Sequence, residues 1–513
     1  SNTMLLALLA AVLLIAFFVI IQVSDNLLRI QAKKVNANAE VSLFPSMGDL
    51  FKAKAPDWVD GPLVNLEKGF DIKLEGAAAP AVAEGVKGNT FAVQPGNFRG
   101  VSPIPKVLVE VGANVKAGDH LFFDKSNEAV KYVSPVSGEV IAINRGDRRS
   151  IQEVVVLADK TQSYRELPAF DLANSGREAL VDFLLDAGAW PLLRQRPFDI
   201  VASTTDIPDN IFISTFDTAP LAPDLNLVVA GQGAAFQAGL NALAKLTKGS
   251  VHLGLNAGGN TAPASEFTQA TGVEKYWFKG SHPAGNVGVQ IHHIAPLGTN
   301  SCVWTLGVQE VITLGALFTE RRFNATRIVA LTGAELKTPG YVRTFVGANI
   351  GELVNDNLSS DGAVRLISGD VLSGQKKEMA NFLNFYDDQV TVLQEGNYYQ
   401  LFGWLLPDMA TPTVSRALPA AIFSDTSYKA DTNTRGETRA FVVTGQYEDV
   451  LPMDIYPQHL MKAVITNNYE RMEALGIHEL IEEDIAICEF VCTSKQPLQQ
   501  ILRQGLDMMH EQG

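Results

Sequence analysis

The chain has 513 residues, of which 46% are hydrophobic and 19% are charged, so it is long enough for several domains with separate cores. Its net charge of −15 argues against a nucleic-acid-binding protein, because such proteins present a basic surface and the sequence contains no basic patch. The three cysteines, Cys302, Cys488 and Cys492, are too few for a disulfide framework, and this usage is typical of a reducing compartment.

The first predicted element is a single membrane-spanning helix over residues 4–23, which would anchor the chain in a lipid bilayer. The apolar run from Met4 to Ile21 is continued past Gln22 by Val23, and its length matches the ~20 residues that cross a bilayer as a helix. A cleaved signal peptide is the alternative, but no basic segment precedes the run and no small-residue cleavage site follows it. Basic residues after the span favour a cytoplasmic position for the rest of the chain. They are Arg29, Lys33, Lys34, Lys52 and Lys54.

The next two segments are predicted to be a linker and a β domain. Residues 24–62 continue the helix and then form a linker, because proline and glycine punctuate the stretch. Residues 63–165 are β-rich, with Gly112 and Gly118 each beginning a turn between short apolar strands. Together with the run SPVSGEVI at residues 134–141, this pattern resembles the barrel-sandwich fold of biotinyl and lipoyl domains.

The barrel resemblance raises a second hypothesis, in which the chain is a swinging-arm carrier. Carrier domains bear a modified lysine at a hairpin tip, and Lys125 lies near the matching place. The stretch between Lys125 and Ser134 is longer than in carriers, however, and Phe123 and Ser126 do not fit the carrier pattern. An unmodified structural barrel is therefore the preferred interpretation.

Residues 166–325 are predicted to form a Rossmann-like α/β domain. A strand over residues 210–215, a helix over residues 225–246 and a strand over residues 250–255 give a strand–helix–strand unit. The glycine turn that follows contains no G-x-G-x-x-G sequence, so it gives no indication of nucleotide binding.

The remaining sequence predicts two further domains. Residues 326–407 resemble the soluble-ligand-binding β-grasp (SLBB) module, through the runs IVALTG at residues 328–333 and VGANIGEL at residues 346–353. Residues 408–513 predict a helical C-terminal domain in which Gly476 ends a helix. The fold class is therefore multidomain, α/β and α+β.

No metal site or redox cluster is predicted. Cys488 and Cys492 are expected to be buried apolar residues, because three cysteines cannot supply the four thiolates of a usual 4Fe–4S cluster. His292 and His293 are expected on opposite faces of a strand, where they cannot chelate together. The acidic run at residues 482–484 predicts a solvated helix start, which the helix dipole favours.

Seven stretches are similar, in order and spacing, to the family formed by the A subunit of the sodium-translocating NADH:quinone oxidoreductase. The resemblance extends over most of residues 66–513, and this coverage makes it specific. The stretches are PVSGEVIAINRG at residues 135–146, RQRPF at 194–198, FDTAPLAPD at 216–224, SHPAG at 281–285, LISGDVLSG at 366–374, LPMDI at 451–455 and EEDIAICEFVC at 482–492.

This resemblance implies a subunit of an inner-membrane complex that oxidises NADH, reduces a quinone and exports Na⁺. FMN, FAD, Fe–S clusters, NADH and Na⁺ would be bound by partner subunits, so this chain would hold no tightly bound cofactor and would not be catalytic alone. The related flavin subunit of complex I has consecutive acidic residues in its flavin loop and a glycine after the proline. Here only Asp217 precedes Pro220, and Leu221 follows it, which argues against bound FMN.

The resemblance also implies binding of quinone and contact with the integral membrane subunit that carries the quinone site. The chain would be a single-pass protein of the cell inner membrane with its bulk in the cytoplasm. A quinone ring needs a mostly apolar cleft with a few polar groups, and we expect it between the Rossmann-like and barrel domains at Phe216, Asp217 and His282. The alternative for His282 is a capping or packing role. A carrier or docking scaffold of another membrane redox complex, and a flavoenzyme, are the rival functions.

Overall fold

The computed structural model describes residues 2–34, 55–102, 104–359, 362–402, 411–414 and 427–512, and the statements below refer to these residues. The chain divides into two compact units, Ser1–Val59 and Asp60–Gly513. Residues 35–54 of the predicted linker, and parts of the last two predicted domains, lie outside the described residues.

The first unit contains one long helix, α1 (Asn2–Lys34), of 33 residues. Its segment Leu8–Leu28 has a mean hydropathy of 2.5 and is long enough to cross a membrane. Apolar side chains such as Phe17 and Ile20 are exposed along it. The helix therefore contains the whole span predicted over residues 4–23 and continues beyond it.

The second unit begins with nine short strands, seven of which form two small sheets facing each other. The strands are β1 (Leu63–Asn65), β2 (Ala79–Val86), β3 (Thr90–Val93), β4 (Lys106–Val107), β5 (Asn114–Val115), β6 (His120–Asp124), β7 (Asn127–Val133), β8 (Gly138–Arg145) and β9 (Ile151–Ala158). One sheet has the order β3-β9-β8-β5 and the other the order β4-β6-β7. The rings of Phe122 and Tyr132 stack at 4.8 Å between centroids, and Val140 and Val156 are fully buried in the same core. Strands β1 and β2 pair with strands of later sheets instead.

A seven-stranded sheet with the order β1-β14-β13-β12-β15-β10-β11 follows. Its new strands are β10 (Arg194–Arg196), β11 (Ile200–Val201), β12 (Asn210–Ser214), β13 (Val251–Asn256), β14 (Glu274–Lys279) and β15 (Val303–Thr305). The accompanying helices are α2 (Arg177–Asp186), α3 (Leu225–Val229), α4 (Gly233–Leu246), α5 (Ser265–Thr268), α6 (Val287–Ile294) and α7 (Val308–Thr319). Strands β1, β14, β13, β12 and β15 are parallel, and β10 and β11 continue the sheet in antiparallel fashion.

Glycines decide how the helices of this region form and pack. The single helix predicted over residues 225–246 is instead α3 and α4, because Gly231 between them adopts φ +74°, which interrupts a right-handed helix. Helices α4 and α7 then cross closely at Gly315. A Cβ at that position would lie 1.6 Å from the carbonyl oxygen of Ala235.

The third sheet has six strands in the order β19-β18-β20-β16-β17-β2. Its new strands are β16 (Thr326–Thr332), β17 (Gly340–Phe345), β18 (Val364–Ser368), β19 (Gln375–Lys377) and β20 (Gln389–Gln394), and α8 (Ile350–Val354) follows β17. The side chain of Asn349 caps α8 by accepting a hydrogen bond from the backbone N–H of Glu352 at 2.9 Å. The Glu352 carboxylate in turn accepts the backbone N–H groups of Asn89 and Thr90, which joins this region to β3.

The C-terminal region is helical and encloses an apolar core. Its helices are α9 (Gln446–Val450), α10 (Pro457–Ile465), α11 (Tyr469–Ala474), α12 (Glu482–Val491) and α13 (Leu498–Gln512). Leu460, Met472 and Leu502 are fully buried in this core. Cys488 and Cys492 are buried there as the sequence predicts. Gly476 adopts φ +85° directly after α11, in agreement with the predicted helix end.

Two local predictions are wrong. His292 and His293 lie in the last turn of α6 and not in a strand, because the segment after Asn286 has a helical apolar period. The acidic start of α12 is not solvated, because Asp484 is fully buried in an ion pair with Arg196. In that pair Arg196 Nη1 lies 3.1 Å from Asp484 Oδ2.

Candidate functional site

The three residues predicted for the quinone cleft come together at one edge of the seven-stranded sheet. Phe216 and Asp217 follow β12, and His282 follows β14. Both strands run parallel, so their carboxyl ends lie at the same edge, where open α/β sheets usually bind ligands. The two loops are joined at Thr218, whose Oγ1 lies 3.1 Å from His282 Nδ1 and accepts the backbone N–H of Gly285 at 2.9 Å.

The position of His282 is fixed by a chain segment far away in the sequence. Its backbone N–H donates to Asp71 Oδ1 at 2.8 Å, and its carbonyl oxygen accepts the backbone N–H of Phe70 at 2.8 Å. Gly69 adopts φ +134°, and a Cβ there would lie 2.7 Å from the His282 carbonyl oxygen. This close approach requires glycine, and together these contacts hold the backbone of His282 in place.

One ring nitrogen of His282 has no partner among the described residues. The side chain is only 3% exposed, and its Nε2 makes no hydrogen bond. Nδ1 faces Thr218, where it can accept from the hydroxyl or donate to the Thr218 side, so the tautomer depends on that contact. His282 thus offers a buried ring nitrogen, Nε2, that makes no hydrogen bond among the described residues.

Burial keeps this imidazole neutral. Loss of solvent lowers the pKa of His282 below its ordinary value, although the carboxylates of Asp370 and Asp71 act in the opposite direction. At neutral pH the ring is therefore a neutral hydrogen-bonding group.

Asp217 and Phe216 have different surroundings. Asp217 remains solvent-exposed at the rim, and its Oδ1 accepts the backbone N–H of Ala219 at 2.8 Å. The density of protein around its carboxyl, with a further contribution from Asp370, raises the pKa of Asp217 to about 6. Phe216 is 8% exposed and packs into the apolar core with Phe278. It therefore supports the site from within.

Sequence reasoning missed three polar residues of this site. Thr218 and Asp370 lie inside two of the family-like stretches and were not singled out, whereas Asp71 lies outside all seven. Their contribution depends on contacts between distant segments, such as the one from Asp71 to His282, and no local pattern encodes it.

A separate cavity of about 370 Å³ lies where β10 and β11, the turn after β3, the β-grasp loops and α12 meet. Its lining includes Arg99, Arg194, Asp199, Tyr386 and Glu482. Arg99 bridges Asp199 at 2.6 Å and Glu482 at 2.8 Å. None of the three predicted residues lines this cavity, and its charged walls suit an apolar ring poorly.

No group of three or more His, Cys, Asp or Glu side chains is arranged to hold a metal ion in the part of the chain that the structure describes. The histidine pair of α6 serves packing instead. His292 Nδ1 lies 2.6 Å from Glu479 Oε2, and His293 Nε2 lies 2.8 Å from the carbonyl oxygen of Pro452. Both contacts join α6 to the C-terminal region.

Three sequence models of protein families match the chain. The model described as "NqrA N-terminal barrel-sandwich hybrid domain" matches residues 64–159. The model described as "NqrA second alpha/beta domain" matches residues 175–323, and an SLBB-type model described as "NQRA C-terminal domain" matches residues 328–378. The chain therefore contains a barrel-sandwich domain, an α/β domain and an SLBB-like domain, in the order expected from the sequence.

Similar proteins match along their whole length. The A subunit of the Na(+)-translocating NADH-quinone reductase of Saccharophagus degradans is 38% identical over 454 residues, covering 88% of this chain and 100% of that protein. The proteins of the same name from Alcanivorax borkumensis and Serratia proteamaculans are both 37% identical with the same coverage. Among solved structures, an NAD+-reducing NiFe hydrogenase in the air-oxidized state matches with a TM-score of 0.33 and 11% identity, covering 67% of this chain and 66% of that chain, a likeness that supports no inference. With this identity and coverage among its relatives, the chain belongs to the NqrA family, the A subunit of the Na(+)-translocating NADH-quinone reductase.

Proposed function

We propose that the chain is the A subunit of a sodium-pumping NADH:quinone oxidoreductase and holds the quinone headgroup beside His282. The observation that carries the quinone assignment is the buried Nε2 of His282, which has no partner among the described residues. In the tautomer that carries the proton on Nε2, this nitrogen would donate a hydrogen bond to a quinone carbonyl oxygen.

The architecture around the site supports this placement. In the sheet, β13 and then β14 lie on one side of β12, and β15 lies on its other side. The chain therefore adds successive strands in one direction from β12 and then returns to add β15 in the other direction. Ligands of open α/β sheets bind at such a change, beyond the carboxyl ends of the strands. We therefore interpret this domain as Rossmann-like, with the domain boundaries expected from the sequence.

Asp217 gives the site a second function. Quinone reduction to quinol consumes two protons, and an exposed carboxyl beside the site whose pKa is raised above its ordinary value would exchange protons with solvent. Asp217 would collect protons from solvent, while His282 would orient the headgroup.

The remaining roles fall to partner subunits. FMN, FAD, iron–sulfur clusters, NADH and Na⁺ would be bound there, and the quinone would also contact the integral membrane subunit. Helix α1 would cross the inner membrane once and leave the bulk of the chain on the cytoplasmic side. Its exposed apolar surface supports insertion into lipid.

A His282→Leu variant of the assembled complex tests the quinone assignment. Loss of one hydrogen bond should raise the quinone KM roughly two- to tenfold. NADH oxidation with an artificial acceptor that bypasses quinone should stay unchanged, because its groups lie on other subunits.

A matched control is His478→Leu, which also removes a buried histidine whose ring nitrogens have no partner among the described residues, but in the C-terminal region. It should leave the quinone KM unaltered. Photoaffinity labelling with a quinone analogue should mark the segments around residues 216–218 and 282–285. Labels confined to other subunits, or an unchanged quinone KM in an assembled His282→Leu complex, would refute the assignment.

One observation favours a second candidate function, the carrier. Lys125 lies at the tip of the hairpin formed by β6 and β7 and is exposed to solvent. A carrier lysine needs this position, so the hairpin geometry alone does not exclude the hypothesis.

A further inference from the structure

A loop after β20 presents large apolar side chains to solvent. Tyr399 is fully exposed, Leu401 is 85% exposed, and Tyr398 and Phe402 are about half exposed. Contiguous apolar groups of this size on a protein surface usually mark an interaction site.

The backbone of this loop is held by the segment over residues 431–435. Gly396 N–H donates to Thr432 Oγ1 at 2.8 Å, and Asn433 Nδ2 donates to the carbonyl oxygen of Tyr398 at 2.7 Å. Arg435 Nε donates to Gln400 Oε1 at 3.1 Å. The apolar side chains are thus presented by an ordered backbone, and docking them would require little further loss of conformational entropy.

Two exposed cations lie beside this loop. Arg439 N–H donates to the carbonyl oxygen of Ser494 at 2.8 Å, which places it next to Lys495. Lys495 lies beside Gly436, the neighbour of the loop-binding Arg435. Neither Arg439 nor Lys495 has a carboxylate within 4.0 Å among the described residues, whereas the other cations nearby are paired.

The balance of charge here is opposite to that of the whole chain. The exposed Glu437 is the one acidic residue between Gly436 and Ala440, and Asp431 is occupied by Arg435 at 3.6 Å. Among the described residues of this surface, two unpaired cations therefore stand against one unpaired carboxylate, whereas the whole chain has a net charge of −15. An anionic surface would therefore repel most of the protein and attract the surface that carries Arg439 and Lys495.

We propose that the loop Tyr398–Phe402, together with Arg439 and Lys495, docks on the headgroup region of an anionic lipid bilayer. Tyrosine, phenylalanine and leucine insert at the boundary of headgroups and acyl chains, and cations pair with anionic lipid. We favour a bilayer over a protein partner because α1 of the same chain contains an apolar segment long enough to span a membrane. The proposal goes beyond quinone binding and is independent of it.

Such docking would turn one face of the second unit toward the bilayer.

The test uses the full chain, without partner subunits, in vesicles of phosphatidylcholine alone or of equal parts phosphatidylcholine and phosphatidylglycerol. An environment-sensitive fluorophore is attached at Asn397→Cys in a Cys302→Ser background, because the other two cysteines are buried. The fluorophore should shift to the blue in the anionic vesicles and not in phosphatidylcholine. The pair Tyr399→Ser and Leu401→Ser should abolish the shift. The pair Arg439→Gln and Lys495→Gln should lower the ratio of docked to free loop about fivefold for each cation removed.

The matched control is the pair Leu108→Ser and Val111→Ser, which removes two exposed apolar side chains from the barrel and should leave the shift intact. All variants must keep the thermal unfolding midpoint of the parent. Absence of a shift, or an equal shift in phosphatidylcholine alone, overturns the proposal. A shift that appears only when the partner membrane subunits are added also overturns it, since the loop would then dock on protein.

Discussion

At the scale of single residues, the buried pair of Arg196 and Asp484 connects the seven-stranded sheet to the C-terminal helices. Asp484 also accepts the backbone N–H of Ile481 at 3.0 Å, at the start of α12. Gly288 of α6 provides the space, because a Cβ there would lie 2.5 Å from atoms of both side chains. Burial raises the pKa of Asp484, and Arg196 opposes this shift. The carboxylate therefore depends on its cation.

We expect Arg196→Met to destabilise the chain strongly, because an unpaired buried carboxylate typically costs about 3–5 kcal/mol. The double variant Arg196→Met with Asp484→Leu should recover most of the loss. In the single variant the deficit should shrink as the pH falls, since protonated Asp484 needs no cation. A group with a raised pKa in the folded state is most favourable at low pH and loses stability as the pH rises through that pKa.

The midpoint of thermal unfolding measures these effects. Arg165→Met is the control, because its partner Asp186 is exposed and a surface pair contributes only about 0–1 kcal/mol. Equal midpoints for the single and double variants would show that the unpaired Asp484 carboxylate is not the cause of the loss.

The burial of Arg196 and Asp484 could not be predicted from the sequence. Both residues lie in stretches recognised from the sequence, yet the pattern of the acidic run at residues 482–484 predicts that it faces solvent. Local charge predicts a helix start, and α12 does begin at Glu482. Whether a carboxylate at that start is buried depends on a partner 288 residues away. The site residue Phe216 illustrates the same limit, because its position in the sequence does not show that its ring faces the core.

Among the elements, the hairpin of β6 and β7 is the place where a structural barrel and a carrier would differ. Lys125 is exposed at its tip, and Asp124 beside it is buried. Asp124 Oδ1 accepts the backbone N–H groups of Ser102 and Ser126 at 3.1 and 3.0 Å. These contacts give Asp124 a structural role in closing the turn. The contacts of Asp124 explain the shape of this turn without any modification of Lys125.

We expect Lys125 to be unmodified in the native protein. Intact-mass analysis of the chain purified from its natural membrane should give the mass of the unmodified polypeptide, without a lipoyl or biotinyl adduct. Lys125→Ala should leave NADH:quinone reductase activity of the complex at the parental level. An adduct on Lys125, with loss of activity in Lys125→Ala, would establish the carrier function instead.

The existence and position of strands follow from the sequence in this region, but their pairing partners do not. The strand predicted over residues 210–215 agrees with β12, and the strand predicted over residues 250–255 agrees with β13. Strands β1 and β2 fall within the predicted barrel segment, but they pair with β14 and β17. Alternation of apolar residues shows that a strand exists, while its partner depends on tertiary packing.

At the scale of the whole molecule, the two units have opposite surface chemistry. The unit Asp60–Gly513 buries its apolar residues in several cores and carries the three family matches. In α1 the described apolar side chains between Leu8 and Ile20 are more than half exposed. A helix with that surface is stable in lipid and unstable in water. The apolar helix thus belongs to the first unit, Ser1–Val59, and the site near His282 belongs to the second unit, Asp60–Gly513.

We expect the full chain to remain in the membrane pellet after an alkaline wash that strips peripheral proteins. Leu, Ile, Val and Phe each contribute roughly −0.3 to −0.6 kcal/mol at the centre of a spanning helix, and no charged residue lies between Met4 and Ile21. A version that starts at Asp60 should be released when its partners are absent. It retains the contact from Trp277 Nε1 to Asp60 Oδ1 at 3.0 Å, so release would not reflect unfolding of that edge.

The matched variant is Leu14→Arg with Phe17→Arg, in which two central cations oppose insertion by about 2.5–3.5 kcal/mol each. This variant should move toward the supernatant, although it keeps the full length of the chain. Protease added outside intact cells should cut nothing beyond Arg29, because the basic residues after the span favour the cytoplasmic side. Cleavage between residues 35 and 62 from the outside would reverse the orientation. In that case the second unit, with its site near His282 and its exposed loop, would face the opposite side of the membrane from the one proposed.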